Sequence, residues 1–260
     1  MIAYNACVLR VKKRGGDPVS VTARAVSLAV AFVGVVGLGV FVALYYIGGA
    51  SSLPTIHYSA SGGQVNVMLQ EDPQNNSSSK PDWVSYFVQD PVTSQWVHTT
   101  LFSVPANTKV NMTIYGYDGC TPLRNNLWSG VRGTIGGTVT VQQFSPKNVP
   151  LGGPQTVSLI NSWADCNVGH TFAIPAMGLF VPVASPNANN SVNNLCSSSP
   201  CTPTSGGAYA KETFSFVSPA HAGVCRWQCF VPCGGGFIGG NGGPMATLGY
   251  MAGNMDVVSS

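Results

Sequence analysis

Ala25 to Ile47 (AVSLAVAFVGVVGLGVFVALYYI) is a run of 23 uncharged residues, and it divides this 260-residue chain into a short basic head and a long polar remainder. A helix rising 1.5 Å per residue over that length crosses a hydrocarbon core of about 30 Å. Five basic residues (Arg10, Lys12, Lys13, Arg14, Arg24) precede it, and Tyr45 and Tyr46 stand at its far end. The basic flank predicts a cytoplasmic N-terminus, with residues 50 to 260 outside. A cleaved signal peptide is the alternative, but the run is long for one and Gly48-Gly49-Ala50 makes a poor cleavage site. The expectation is one retained span in the cell membrane. It gives a cytoplasmic tail over 1–24, a transmembrane helix over 25–47, a polar linker over 48–80 and an extracytoplasmic domain over 81–260.

The outer part reads as all-β. Charged residues make up only 8% of the chain, with 31 glycines and 18 prolines. That is too apolar for a disordered chain, and the glycines have no collagen period. Strand-like segments are Trp83–Phe87, Gln95–Phe102, Thr108–Tyr117, Gly133–Val141, Thr156–Asn161, Thr171–Ile174, Lys211–Val217 and Met255–Val258. Val110, Met112 and Ile114 alternate with polar neighbours, as do Phe214 and Phe216, which marks half-buried strands. Short strands between Gly, Pro and Asn turns predict an antiparallel sandwich. The net charge is +3, and five of the twelve basic residues lie before residue 25, so no basic surface points to nucleic acid. A surface this poor in charge suits an acidic medium. No nucleophile elbow, phosphate loop or dinucleotide fingerprint is present, and GGFIGGNGG follows a cysteine loop with no helix after it.

Chemistry concentrates in Gly223–Met245 (GVCRWQCFVPCGGGFIGGNGGPM), where Cys225, Cys229 and Cys233 recur every fourth residue. Outside a membrane, cysteines are paired, metal-bound or reactive. Cys196 and Cys201 flank a short turn and are expected to form a local disulfide, and Cys120 with Cys166 is a second candidate pair. Three cysteines remain in the loop. Thiolate ligation of copper is one reading of Cys229 and Cys233, since soft sulfur ligands suit copper in electron-transfer centres. A disulfide is the other, because the i, i+4 spacing permits it.

Two segments carry a family resemblance. Asn167-Val168-Gly169-His170-Thr171-Phe172-Ala173-Ile174-Pro175, followed by Met177-Gly178, resembles the histidine segment of cytochrome c oxidase subunit II. Thr213–Val217 followed by Gly223–Cys233 resembles its second half, which ends in C-x-x-x-C and Gly. The resemblance covers roughly residues 145–260. It implies a cupredoxin-like Greek-key β-sandwich whose copper-A centre hands electrons to the haem and copper of oxidase subunit I. On that reading His170, Cys229 and Cys233 are copper ligands, and Val231 supplies a backbone carbonyl. The second histidine falls on Phe237 and the methionine on Gly240, with Met245 nearby as the remaining soft ligand. His98 or His221 would be the substitutes for the missing histidine. Trp83 and Tyr86 match the family's aromatic cluster. With Trp227, which alternation places on the face of Cys225 and Cys229, they are either electron-path aromatics or core rings. The loop Cys229-Phe230-Val231-Pro232-Cys233-Gly234 also resembles that of sulfocyanin-type blue-copper proteins.

The resemblance implies a non-catalytic subunit of a cytochrome c or quinol oxidase. Its partners would be subunit I, other membrane subunits and a soluble electron donor. The alternatives are a stand-alone membrane-anchored electron carrier, and a copper-free structural subunit stapled by disulfides. The block 118–140 (DGCTPLRNNLWSGVRGTIGGTVT, opening at Asp118) has no counterpart in the family and reads as a loop that covers the domain or touches a partner.

Overall fold

A computed structural model describes residues 21–42, 53–73, 83–120, 125–160, 167–186, 196, 199–203, 207–231, 233 and 243–259. The chain divides into two compact units, residues 1–47 and 48–260. The first holds helix α1 (Val21–Val42), 22 residues long, whose described side chains are exposed. It is long and apolar enough to cross a membrane.

The second unit is an all-β sandwich of two sheets whose strands cross between them in Greek-key fashion. Its strands are β1 (Thr55–His57), β2 (Gln64–Asp72), β3 (Ser85–Gln89), β4 (Trp96–Val97), β5 (Leu101–Pro105), β6 (Lys109–Gly116), β7 (Val139–Phe144), β8 (Gln155–Val157), β9 (Val168–Ile174), β10 (Leu179–Ala184), β11 (Tyr209–Val217), β12 (Gly223–Gln228) and β13 (Ala252–Val258). One sheet runs β1-β5-β13-β12-β9-β10 and the other β4-β3-β2-β6-β11-β7-β8. Successive strands cross between the sheets, from β5 to β6, from β8 to β9, and from β10 through β11 to β12.

Two expectations are corrected here. The sheets are mixed, because β1 and β13 pair with β5 in parallel and β2 pairs with β6 in parallel. A chain that leaves one sheet and returns to it through the other can lay its next strand parallel to the last, and single-strand patterns carry no trace of this. The expected linker over 48–80 is also largely domain. β1 lies within it, and β2 is a nine-residue strand between β3 and β6. Its apolar Val65, Val67 and Leu69 are interleaved with Asn, Met and Gln, which hid a strand whose inner face is nonetheless buried.

The core lies between the sheets. β6 and β11 alternate buried and half-exposed residues, as their sequence pattern predicts. β9 is buried at all seven positions, so both of its faces are covered. Trp227 on β12 is fully buried, with ring contacts to Tyr86 (5.2 Å, edge-on) and Phe172 (5.0 Å). Opposite it on β13 stands Gly253. A Cβ there would lie 2.0 Å from the Thr100 carbonyl oxygen and 2.5 Å from the indole ring. Gly253→Ala is therefore expected to cost about 1–3 kcal/mol or more, since the site is bounded by backbone and a caged ring. Chemical denaturation monitored by tryptophan fluorescence checks this.

Glu212 of β11 is buried among these layers. One carboxylate oxygen accepts the Ala184 N–H at 3.0 Å, and the other has no partner among the described residues. Burial pushes its pKa up to about 8, against which the Ala184 bond acts only in part. An unfolded glutamate titrates near 4.3. Between those values the folded state holds a proton that the unfolded state has lost. The stabilisation is complete below the lower value and disappears as pH rises to the upper one, at roughly 1.4 kcal/mol per pH unit. Burial likewise raises the pKa of Asp72 to about 7, adding to the same slope. Thermal melts are expected to give a higher melting temperature at pH 5 than at pH 8, with a smaller difference for Glu212→Gln.

Candidate metal centre

Four strand ends from both sheets meet at one end of the sandwich. From one sheet, β9 brings His170 and Thr171, and β12 runs directly into Cys229. The Cys229 N–H is anchored on the Met251 carbonyl (2.8 Å). From the other sheet, the parallel strands β2 and β6 deliver Glu71, the last residue but one of β2, and Asp118, two residues past β6. The Tyr117 N–H donates to the Glu71 carbonyl, and the Asp118 N–H donates to Glu71 Oε2, which ties the two ends together. Gly169 permits this approach, because an added Cβ would lie 3.1 Å from the Gly119 carbonyl oxygen.

The donor atoms of His170, Cys229 and Cys233 all lie within 4.8 Å of one another, and all three residues are buried. His170 Nδ1 is 3.8 Å from Cys229 Sγ. The Val231 carbonyl oxygen is 3.4 Å from the same sulfur. Thr171 donates its backbone N–H to that sulfur at 3.4 Å. The other ring nitrogen of His170, Nε2, faces carboxylates, with Asp118 Oδ2 at 3.1 Å and Glu71 Oε1 at 3.2 Å. Only the Asp118 contact is a hydrogen bond. An imidazole that presents one nitrogen to soft donors while a carboxylate grips the other is the arrangement of a metal-binding histidine with its supporting shell.

The protonation states fit this geometry. Burial works to depress the pKa of His170, but Glu71, Asp118 and the two cysteines outweigh it and hold the pKa well above the ordinary value. Burial works to raise that of Cys229, yet bonds from Cys233, His170 and Thr171 hold it well below the ordinary thiol range. Cys233 is pushed up, first by its bond to Cys229 and then by burial. Burial raises Glu71, while His170 holds Asp118 below the usual carboxylate range against the effect of burial. These shifts push the cluster toward a charged Cys229 beside a protonated His170 braced by Asp118, with Cys233 kept neutral. A metal cation at Nδ1 takes the place of a proton, so binding releases protons. Asp118→Asn is expected to keep the fold and lower metal affinity about 10- to 100-fold, by loosening the imidazole; competition with a chelator of known affinity measures it.

Other residues singled out in the sequence fall as follows. Cys229, Cys233 and the half-buried Cys225 are free thiols. Cys196 and Cys201 form a disulfide. Cys120 is disulfide-bonded, and Cys166 lies outside the described residues. Met245 stands in a short turn (Pro244–Ala246) and packs against the core. Phe237 and Gly240 lie outside the described residues. His98 sits between the rings of Phe87 and Tyr250, and His221 is exposed in the β11–β12 turn. Tyr86 and Trp227 are core rings in mutual contact, and Trp83 packs edge-on against Tyr250 at 5.1 Å. Glu71 and Asp118 were not found by sequence reasoning. Asp118 opens the unplaced block, but neither carboxylate lies near His170 in the chain.

No family model matches the chain, and no curated protein matches it by sequence. Among solved structures it is similar to the metal-binding domain of a Cu(I)-exporting P-type ATPase from Streptococcus pneumoniae D39 (8% identity, 79% of this chain and 97% of that one, TM-score 0.29). It is also similar to rusticyanin from Thiobacillus ferrooxidans (14% identity, 78% and 82%, TM-score 0.29) and to reduced rusticyanin (12% identity, 78% and 84%, TM-score 0.28). Likeness at this level fixes neither family nor activity.

Proposed function

We propose that the sandwich is a membrane-tethered copper domain that passes single electrons, and that it serves as a subunit II-like component of a haem-copper terminal oxidase. The observation that carries the copper reading is the buried convergence of His170 Nδ1 with the Cys229 and Cys233 sulfurs within 4.8 Å. Two sulfurs, one imidazole nitrogen and the Val231 carbonyl form a soft donor set of the kind that suits copper. His170, Cys229 and Cys233 would hold the metal, with Val231 and Met245 as the further ligands. Bound copper supplies a one-electron couple. The protein's part is to fix the donors and keep water away. Cys229 is 0% exposed and His170 1%, and burial with hydrogen bonds to the sulfur tunes the potential. Thr171 supplies such a bond through its N–H.

Two further observations support the membrane-bound, oxidase-associated reading. Helix α1 is uncharged from Ala25 onward, with Arg24 in its first turn and further basic residues ahead of it, which favours a retained anchor with the domain on the outer side. The His170 segment and the C-x-x-x-C loop carry the subunit II pattern, with Val231 at the carbonyl position. On this reading the domain docks on subunit I beside other membrane subunits and accepts electrons from a soluble donor. The free state of Cys229 and Cys233 argues against the copper-free, disulfide-stapled alternative. Co-purification with a haem-bearing membrane subunit distinguishes the oxidase component from a stand-alone carrier.

The test is metal analysis with an optical spectrum on the full chain in detergent after copper loading. Bound copper with thiolate charge-transfer bands is expected, and both are expected to disappear in Cys229→Ser. Colourless protein carrying zinc, or oxidised Cys229 and Cys233 without metal, would overturn the reading.

A further inference from the structure

Residues 125–132, in the block that opens at Asp118, fold from outside against Phe230, the neighbour of Cys229. Segment 129–132 is laced between the β10 edge and the 158–160 backbone. Arg132 and Phe180 exchange both backbone hydrogen bonds (2.8 and 2.9 Å), Val131 N–H donates to Ser158, and Ile160 N–H donates to Ser129. This lacing holds Trp128 flat against Phe230, with ring centroids 4.5 Å apart and planes 9° from parallel. Phe180 closes the cluster at 5.5 Å from Trp128, and the Arg132 guanidinium lies 4.7 Å over Phe180.

Phe230 is the residue after Cys229. Its backbone N–H donates to Thr171 Oγ1 at 2.7 Å, and the Thr171 N–H donates to the Cys229 sulfur. The stack is therefore one peptide bond from the thiolate ligand on one side and half-exposed to solvent on the other, beside the exposed Leu127. Tyr86 and Trp227 also lie close to the centre, but both are 0% exposed and reach no partner.

From this geometry we infer that Trp128, stacked on Phe230, is where the domain exchanges electrons with its redox partner. The inference rests on the copper reading above. In the exchange a reduced one-electron carrier loses one electron through the Trp128–Phe230 stack and the cupric centre gains it. No bond is made or broken and no proton moves. Electronic coupling falls steeply across gaps, so ring contact followed by one covalent link makes this face a short route to the Cys229 sulfur. The partner face it fits is apolar opposite Trp128 and the exposed Leu127, with acidic groups at its rim, since residues 125–160 carry Arg132 and Lys147 and no carboxylate. Exchange with such an acidic carrier should then slow as ionic strength rises.

The experiment uses the copper-loaded full chain in detergent, reduced in a stopped-flow instrument by hexaammineruthenium(II) as the one-electron probe. Trp128→Ala is expected to slow reduction by about tenfold or more, a barrier rise of roughly 1.4 kcal/mol. The optical spectrum and reduction potential should stay at wild-type values, and Trp128→Phe, which keeps a stacked ring, should keep most of the rate. A second readout needs no metal. In the metal-free chain, Trp128→Ala is expected to speed alkylation of Cys229, followed by peptide mass spectrometry, while Trp128→Phe does not. Wild-type protein that takes up no copper would overturn both readings. Copper uptake with an unchanged reduction rate in Trp128→Ala would overturn this one alone, as would an unchanged alkylation rate.

Discussion

His170 is gripped from both sides, and the rest of the site depends on that grip. Its Nδ1 faces the Cys229 sulfur and its Nε2 bonds to Asp118. A buried imidazole without these partners would lose its proton and its orientation together. With them, burial strengthens each contact, because little water is present to compete. The same logic explains the thiols. Two buried cysteines in contact cannot easily both ionise. Charge is favoured on Cys229 beside His170, while Cys233 is pushed toward the neutral thiol.

The sandwich builds this grip by bringing together ends of strands that are distant in sequence. Glu71 and Asp118 come from adjacent parallel strands of one sheet, and His170 and Cys229 from adjacent strands of the other. The Trp227–Gly253 contact sits just upstream of Cys229 and fixes where β12 ends. Packing and chemistry are thus joined along one strand, since a displaced indole would carry the ligand loop with it.

How much was legible from sequence follows from how local each signal is. β6 and β11 were visible because one face of each is buried and the other is not, so polarity alternates. β9 was visible only in part. Its buried run includes His170 and Thr171, polar residues whose partners lie on other strands. β2 was taken for linker because Gln70, Glu71 and Asp72 read as surface residues, yet all three are buried at its end. The candidate trio His170, Cys229 and Cys233 was legible because C-x-x-x-C and the histidine segment are local patterns. The carboxylates behind His170 and the ring over Phe230 were not, because each is a tertiary contact with no fixed spacing in the chain.

Residues 71, 118, 170 and 229 share one pocket only after both sheets have closed over it. A growing chain exposes Cys229 after Glu71, Asp118 and His170, with Cys225 and Cys233 beside it, and β13, which joins β12 to β5, comes later still. The donor set is therefore complete only once the fold has closed, and until then three neighbouring thiols can oxidise one another. Closing the fold and gathering these donors are thus a single event, and the order in which the chain is made sets how long its thiols wait for it.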